Sequence, residues 1–166
     1  FVIAQSNKVF LDKNLKPVAE ESAIYYRVTE QPAAIGSSLS TKIHYLSGEL
    51  YFEGNVVYNN LNYPSKNSLT DLCKWFYESG KRMYEATYNK QGKLNGMYTS
   101  WYPTGKIQKT AEYKNGVLIN NKYTLYDEKE QTERIFNETF DNNQNKWDIN
   151  NTADAELKLD KGTYFF

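Results

Sequence analysis

One cysteine, Cys73, and one histidine, His44, occur in 166 residues. A lone thiol excludes an intrachain disulfide and any metal site built from several cysteines. A lone imidazole, with no serine or cysteine in a nucleophile-elbow context beside it, leaves no basis for a hydrolytic triad. Charge of one sign is missing too: 20 Lys plus Arg balance 20 Asp plus Glu, so no net field draws in nucleic acid or an anionic membrane. No apolar run approaches the roughly 18 residues of a bilayer-spanning helix, so no transmembrane helix is expected. The glycines lie between strand-like segments rather than ahead of a helix, which excludes a P-loop type of phosphate cradle. No cofactor and no metal are expected. The scattered acids, Glu78, Glu85, Glu112, Asp127, Glu128, Glu130 and Glu133, read as surface charge rather than a glycosidase pair. The stretch 141–145, DNNQN, lacks the glycine and distal Glu of an EF-hand loop and reads as a solvated turn. The expectation is a protein that is not an enzyme.

What the chain has instead is tyrosine, 15 copies within an aromatic content of 16%. A large ring with a polar tip suits the half-wet faces of a thin sheet better than a deep aliphatic core. The tyrosines open a recurring phrase: YESGK at 77–81, YNKQGK at 88–93, YPTGK at 102–106 and YKNGV at 113–117. An earlier copy, YLSGE, starts at Tyr45, and a copy without glycine starts at Tyr126. Successive lead tyrosines from Tyr77 are 11, 14, 11 and 13 residues apart, so two units make a 25-residue repeat. Such spacing fits one strand plus one tight turn, with Gly48, Gly80, Gly92, Gly105 and Gly116 supplying the positive φ of the turn.

Aligning the copies places Arg82, Tyr84, Ala86 and Tyr88 against Ile107, Lys109, Ala111 and Tyr113. Period two predicts that each set occupies one face of a sheet. Ala86 and Ala111 leave room for neighbouring tyrosines, and Tyr88 and Tyr113 are expected to form a ladder. His44 aligns with Phe76 and Trp101, which marks it as a sheet-position residue. Cys73 reads as a small half-buried strand residue. The phrase repeats because no single hairpin buries its own face.

These turns and the strands between them, over roughly 44–130, resemble the MORN-type repeat. They are most similar to the variant in bacterial YwqK-type antitoxins. The resemblance implies an all-β fold, an extended antiparallel sheet of hairpin repeats, and a non-catalytic role.

Residues 1–43 read as a leader and N-terminal cap. FVIA running into QSN looks like the tail of a secretory signal with cleavage after Ala4, and a short first strand at 9–11 behind a frayed leader is the other reading. A turn at Asn14 to Pro17, a short helical turn near Val18 to Ala23 and a strand from Ile24 to Thr29 follow. The cap resembles that of exported MORN-like proteins of the Bacteroidetes. Residues 44–131 are the repeats, with a polar insertion expected at 58–72. Residues 132–166 resemble the opening strands of a concanavalin-like or laminin-G-like sandwich, an incomplete second domain. The other reading there is a last strand added to the repeat sheet.

The expected function is a scaffold in a bacterial cell-envelope assembly, exported to the periplasm or outer-membrane surface and bound to another envelope protein. Trp75, Tyr77, Tyr98, Trp101 and Tyr102, with Lys81, Lys93 and Lys106 along one edge, are the candidate contact residues, because aromatics anchor protein contacts and sugars alike. The alternatives are a carbohydrate-binding surface and a toxin-neutralising antitoxin.

Overall fold

The computed structural model describes residues 7–29, 35–59, 67–129 and 133–137. Among the described residues, ten strands form one antiparallel sheet in strict sequence order: β1 (Asn7–Leu11), β2 (Tyr25–Thr29), β3 (Ser38–Tyr45), β4 (Leu50–Val57), β5 (Ser68–Phe76), β6 (Arg82–Tyr88), β7 (Leu94–Trp101), β8 (Ile107–Lys114), β9 (Val117–Tyr126) and β10 (Glu133–Asn137). The one helical element among the described residues is a 3-10 turn, Glu20–Ser22.

The repeated phrase makes the turns. At Tyr77 the backbone N–H donates to the carbonyl of Lys81, and the N–H of Gly80 donates back to the carbonyl of Tyr77, both at 2.8 Å. Gly80 has a φ of 78°, which glycine adopts without steric cost. The same pair of bonds recurs at Tyr45, Asn89 and Tyr102. At 115–116 both Asn115 and Gly116 have positive φ, as the two centre residues of a tight hairpin require.

The first face of the sheet carries the core. Ile43, Phe52, Trp75 and Tyr84 stand opposite one another on β3 to β6. One pleat along, Cys73, Ala86, Tyr98, Ala111 and Tyr123 form a row that alternates small with large from Ala86 onward. Ala86 and Ala111 are buried on either side of Tyr98, as the alignment of the copies anticipated. The second face is polar. Lys42, Glu53, Lys74 and Glu85 alternate in sign across β3 to β6, with Lys42 and Glu53 paired at 3.4 Å, and Thr99, Thr110 and Thr124 continue the row. Cross-strand opposite charges favour this register and penalise a slipped one.

Bulges modify the simple alternation. Register shifts fall between Ile43 and His44, Trp75 and Phe76, and Ser100 and Trp101. Arg82 therefore pairs with Phe76, and Ile107 with Trp101, on the second face. The expected grouping of Arg82 with Tyr84 and of Ile107 with Lys109 is corrected: the extra residues Met83 and Gln108 invert the alternation. A further set lies nearer the other end of the strands, where Asp71, Gly96 and Asn120, 25 and 24 residues apart, carry φ values of 60°, 124° and 55°. Tyr88 and Tyr113 stand on either side of β7, with Leu94 opposite Tyr88 and Gly96 opposite Tyr113.

The segment after β1 folds back as a cap. The Oδ1 of Asp12 accepts from the N–H groups of Asn14 and Lys16 at 2.8 and 2.9 Å, and Val18 N–H donates to the Phe10 carbonyl at 3.0 Å. Leu15 packs on the core and Pro17 bridges Leu11, so part of the β1 edge is covered. The 3-10 turn falls inside the anticipated helical stretch. Of the expected insertion at 58–72, Tyr58 is buried and 68–72 belong to β5, because Leu69 and Cys73 reach the core; 60–66 lie outside the described residues. Residues 133–137, expected to begin a second domain, pair with β9 in the same sheet. The remaining sandwich-like stretch, 138–166, and the signal-like start, 1–6, lie outside the described residues.

Candidate functional site

Every second lead tyrosine, Tyr45, Tyr77 and Tyr102, stands at one end of the sheet, and these three are tied into a ladder. Tyr45 Oη donates to the carbonyl of Phe76 at 2.9 Å, Tyr77 to that of Trp101 at 2.8 Å and Tyr102 to that of Tyr126 at 2.9 Å. Each hydroxyl therefore reaches the residue immediately before the next lead aromatic or turn on its side. The lysines that follow the glycines do the same with their ammonium groups. Lys81 Nζ donates to the Thr104 carbonyl at 3.0 Å and Lys106 Nζ to the Glu128 carbonyl at 2.7 Å. Burial, ahead of neighbouring Tyr and Glu charges, pushes the Tyr45 phenol up to about 12, and burial likewise raises that of Tyr77.

Lys93 lies at the opposite end of the strands, in the turn after β6, so Lys81 and Lys106 share an end that Lys93 does not. Its surroundings are an asparagine network. Asn89 Oδ1 accepts from the N–H groups of Gln91 and Lys93, and Asn89 Nδ2 donates to Asn115 Oδ1, each at 3.0 Å.

Trp75 and Tyr98 lie together on the first face, linked by Tyr84. The rings of Trp75 and Tyr84 stack at 4.1 Å and 16°, and Tyr84 and Tyr98 at 6.0 Å and 27°. Tyr25 and Tyr51 stack at 4.2 Å beside them. Rings on adjacent strands that stack on each other direct edges and hydroxyls, not ring faces, away from the sheet. Burial raises the phenols of Tyr84 and Tyr98 and pushes that of Tyr88 up to about 12. Trp101 belongs to the second face, where the Arg82 guanidinium sits 5.9 Å from the Phe76 ring and 5.6 Å from the Trp101 ring and pairs with Glu85. His44 takes the equivalent place after the β3 bulge, stacked on Tyr26 at 5.2 Å. Cys73 is fully buried, and burial pushes its thiol up to about 11.

Sequence reasoning missed what the β5 and β7 bulges display. Leu72, 46% exposed, and Met97, 54% exposed, stand on the second face one 25-residue repeat apart. That spacing, with turn-prone Asp71 and Gly96 just ahead of each, is the signal that could have found them. Among the described residues no group of three or more His, Cys, Asp or Glu side chains gathers in a metal-holding arrangement. No described helix is long and apolar enough to cross a membrane.

Residues 72–90 and 94–115 match the MORN repeat variant. The first stretch runs from the β5 bulge through β6, and the second is β7 with β8, so each matched MORN unit is one hairpin of the ladder. MORN repeats are in general protein- or membrane-binding motifs without catalytic function. No curated protein matches the chain. Among solved structures, the crystal structure of a GtfA/B complex bound to UDP and GlcNAc aligns at 17% identity over 82% of this chain and 27% of that chain, with a TM-score of 0.32, too low to carry weight.

Proposed function

We propose that this chain is a non-catalytic MORN-type scaffold that docks another protein in a bacterial cell-envelope assembly, exported to the periplasm or outer-membrane surface. The observation that carries the reading is the repetition of Leu72 and Met97 on the second face beside the alternating charges of Lys42, Glu53, Lys74 and Glu85. Exposed apolar side chains at repeat spacing, rimmed by charge, suit protein contact. Of the residues singled out from the sequence, Trp101 adjoins that surface and Lys93 stands at its far end. Tyr77, Tyr102, Lys81 and Lys106 hold the turns, while Trp75 and Tyr98 fill the first face.

A carbohydrate platform has less support, because the aromatic faces that sugars stack on are turned to one another. Affinity capture of the tagged full chain from crosslinked, fractionated cells tests the proposal. Recovery in the envelope fraction with crosslinks from Lys42 or Lys74 to one protein is expected. Recovery as a free soluble protein without crosslinks would overturn it.

A further inference from the structure

The charges of the second face lie in one row, Lys42 on β3, Glu53 on β4, Lys74 on β5 and Glu85 on β6, each opposite the next. The strands stand about 4.8 Å apart, so basic and acidic groups alternate at even steps. Lys42 and Glu53, although paired at 3.4 Å, keep 58% and 37% of their side-chain surface open. A row of four alternating charges reads with every sign inverted when it is reversed end to end. It is therefore its own complement.

A two-fold axis carries out that reversal in space. Laid between two second faces, midway between β4 and β5 and nearly along the strands, it sets Lys42 of one copy over Glu85 of the other and Glu53 over Lys74, each pair occurring twice. Aligned sheets stack in this manner, with strand directions within about 30° of each other. The exposed apolar residues obey the same operator. Leu72, 46% exposed, stands on β5 beside the axis, so the two copies of Leu72 come together. The axis also lays β2 over the other copy's β7. Met97 of β7 is 54% exposed, and Val28 of β2, next to Arg27 and hence on the second face, is 42% exposed. Moved by one strand, the axis loses the match: Glu53 would lie over Thr99 in one direction, and Lys74 over Val28 in the other.

We propose that the second face pairs with a second copy of this chain across that axis, and that the pairing withholds the face from the docked protein. Leu72, Val28 and Met97 supply apolar contact, while the charge row sets the register and rejects a slipped pairing. The withholding of the face rests on the scaffold reading, whereas the dimer does not.

Sedimentation velocity on the full chain, diluted from submillimolar to nanomolar, tests the dimer. A concentration-dependent dimer is expected, and a monomer throughout would overturn the proposal. Lys42→Glu with Lys74→Glu makes the row wholly acidic, and Glu53→Lys with Glu85→Lys makes it wholly basic. Each double variant alone is expected to associate about a hundredfold more weakly, and an equimolar mixture of the two is expected to pair. A dimer that survives either set of reversals, or a mixture of folded variants that stays monomeric, would overturn the register. Leu72→Arg changes an exposed position and sets two like charges at the axis; with an unchanged melting transition it is expected to abolish the dimer, and a dimer that persists would overturn the axis. In crosslinked capture, complexes with an envelope protein are expected to hold one copy of this chain, and complexes that hold the intact dimer would overturn the withholding. A chain that dimerises but captures nothing would overturn the scaffold reading and leave the dimer standing; a monomer that captures one envelope protein would do the reverse.

Discussion

Tyr77 Oη donates to the carbonyl of Trp101 at 2.8 Å, so a turn at one hairpin is fastened to the strand end that precedes the next turn. Tyr45 and Tyr102 repeat the connection to Phe76 and Tyr126. Local turn chemistry and long-range order are thus coupled through one atom per repeat.

Removing that atom is expected to be felt at each rung. Tyr77→Phe or Tyr102→Phe keeps the ring and loses the bond, for about 1 kcal/mol each and a fall in melting temperature of about 4 °C. Chemical and thermal unfolding followed by circular dichroism measure both. A double variant that loses no more than either single would show that the rungs do not act independently.

Stability is expected to fall at alkaline pH. The phenols of Tyr45 and Tyr88 rise from an ordinary value of 10.0 to about 12 in the folded chain, chiefly through burial. The folded state holds these protons more tightly than the unfolded one, so their contribution is complete below pH 10 and is lost as pH climbs toward about 12. Circular dichroism recorded with tyrosinate absorbance across that interval tests this, and a flat profile would contradict it.

Gly54 is expected to tolerate no side chain. A Cβ there would lie 2.6 Å from Cys73 Sγ and 2.9 Å from Phe52 Cζ, so Gly54→Ala should cost about 1–3 kcal/mol by overpacking. In Gly54→Ala with Cys73→Ala the sulfur clash is gone, and the double variant should lose less than the sum of the singles. Denaturant melts of the four proteins close the cycle.

Thiol reagents should leave Cys73 untouched in the folded protein. It has no exposed surface, and its thiol is raised to about 11, which suppresses the reactive thiolate. Labelling at neutral pH is expected to follow unfolding. Fast labelling of the native chain would show that β5 opens locally.

The bulge residues should respond unequally. Gly96 has a φ of 124°, outside the left-handed region that Asn tolerates, and an added Cβ would meet that of Thr87 at 3.3 Å. Gly96→Ala is expected to cost about 2 kcal/mol. Asn120→Gly, at a φ of 55°, should stay within about 0.5 kcal/mol, because relieved strain offsets the added freedom of the unfolded chain. Equal losses in urea melts would refute the distinction.

Much of this was legible in the chain. Glycines at Gly80, Gly92 and Gly105 marked turns because positive φ leaves little choice of residue, and Ala86 and Ala111 marked the places where Tyr98 needed room. The bulges were not legible, since Asp71 and Asn120 adopt positive φ without the glycine that would announce it, and one extra residue moves Arg82 to the other face. The division of Lys81 and Lys106 from Lys93 was written in the alternating spacings of 11 and 14 residues, since successive hairpin turns must fall at opposite strand ends. Ring stacking depends on side-chain torsions that strand period does not encode.

Strand order follows sequence order without exception from β1 to β10. A mechanical load applied across the two outer strands would therefore pull perpendicular to the hairpins and meet the interstrand bonds one seam at a time, as in a zipper. The same sheet pulled along its strands would load all the bonds of a seam together. Such a body yields in one direction and resists in the other.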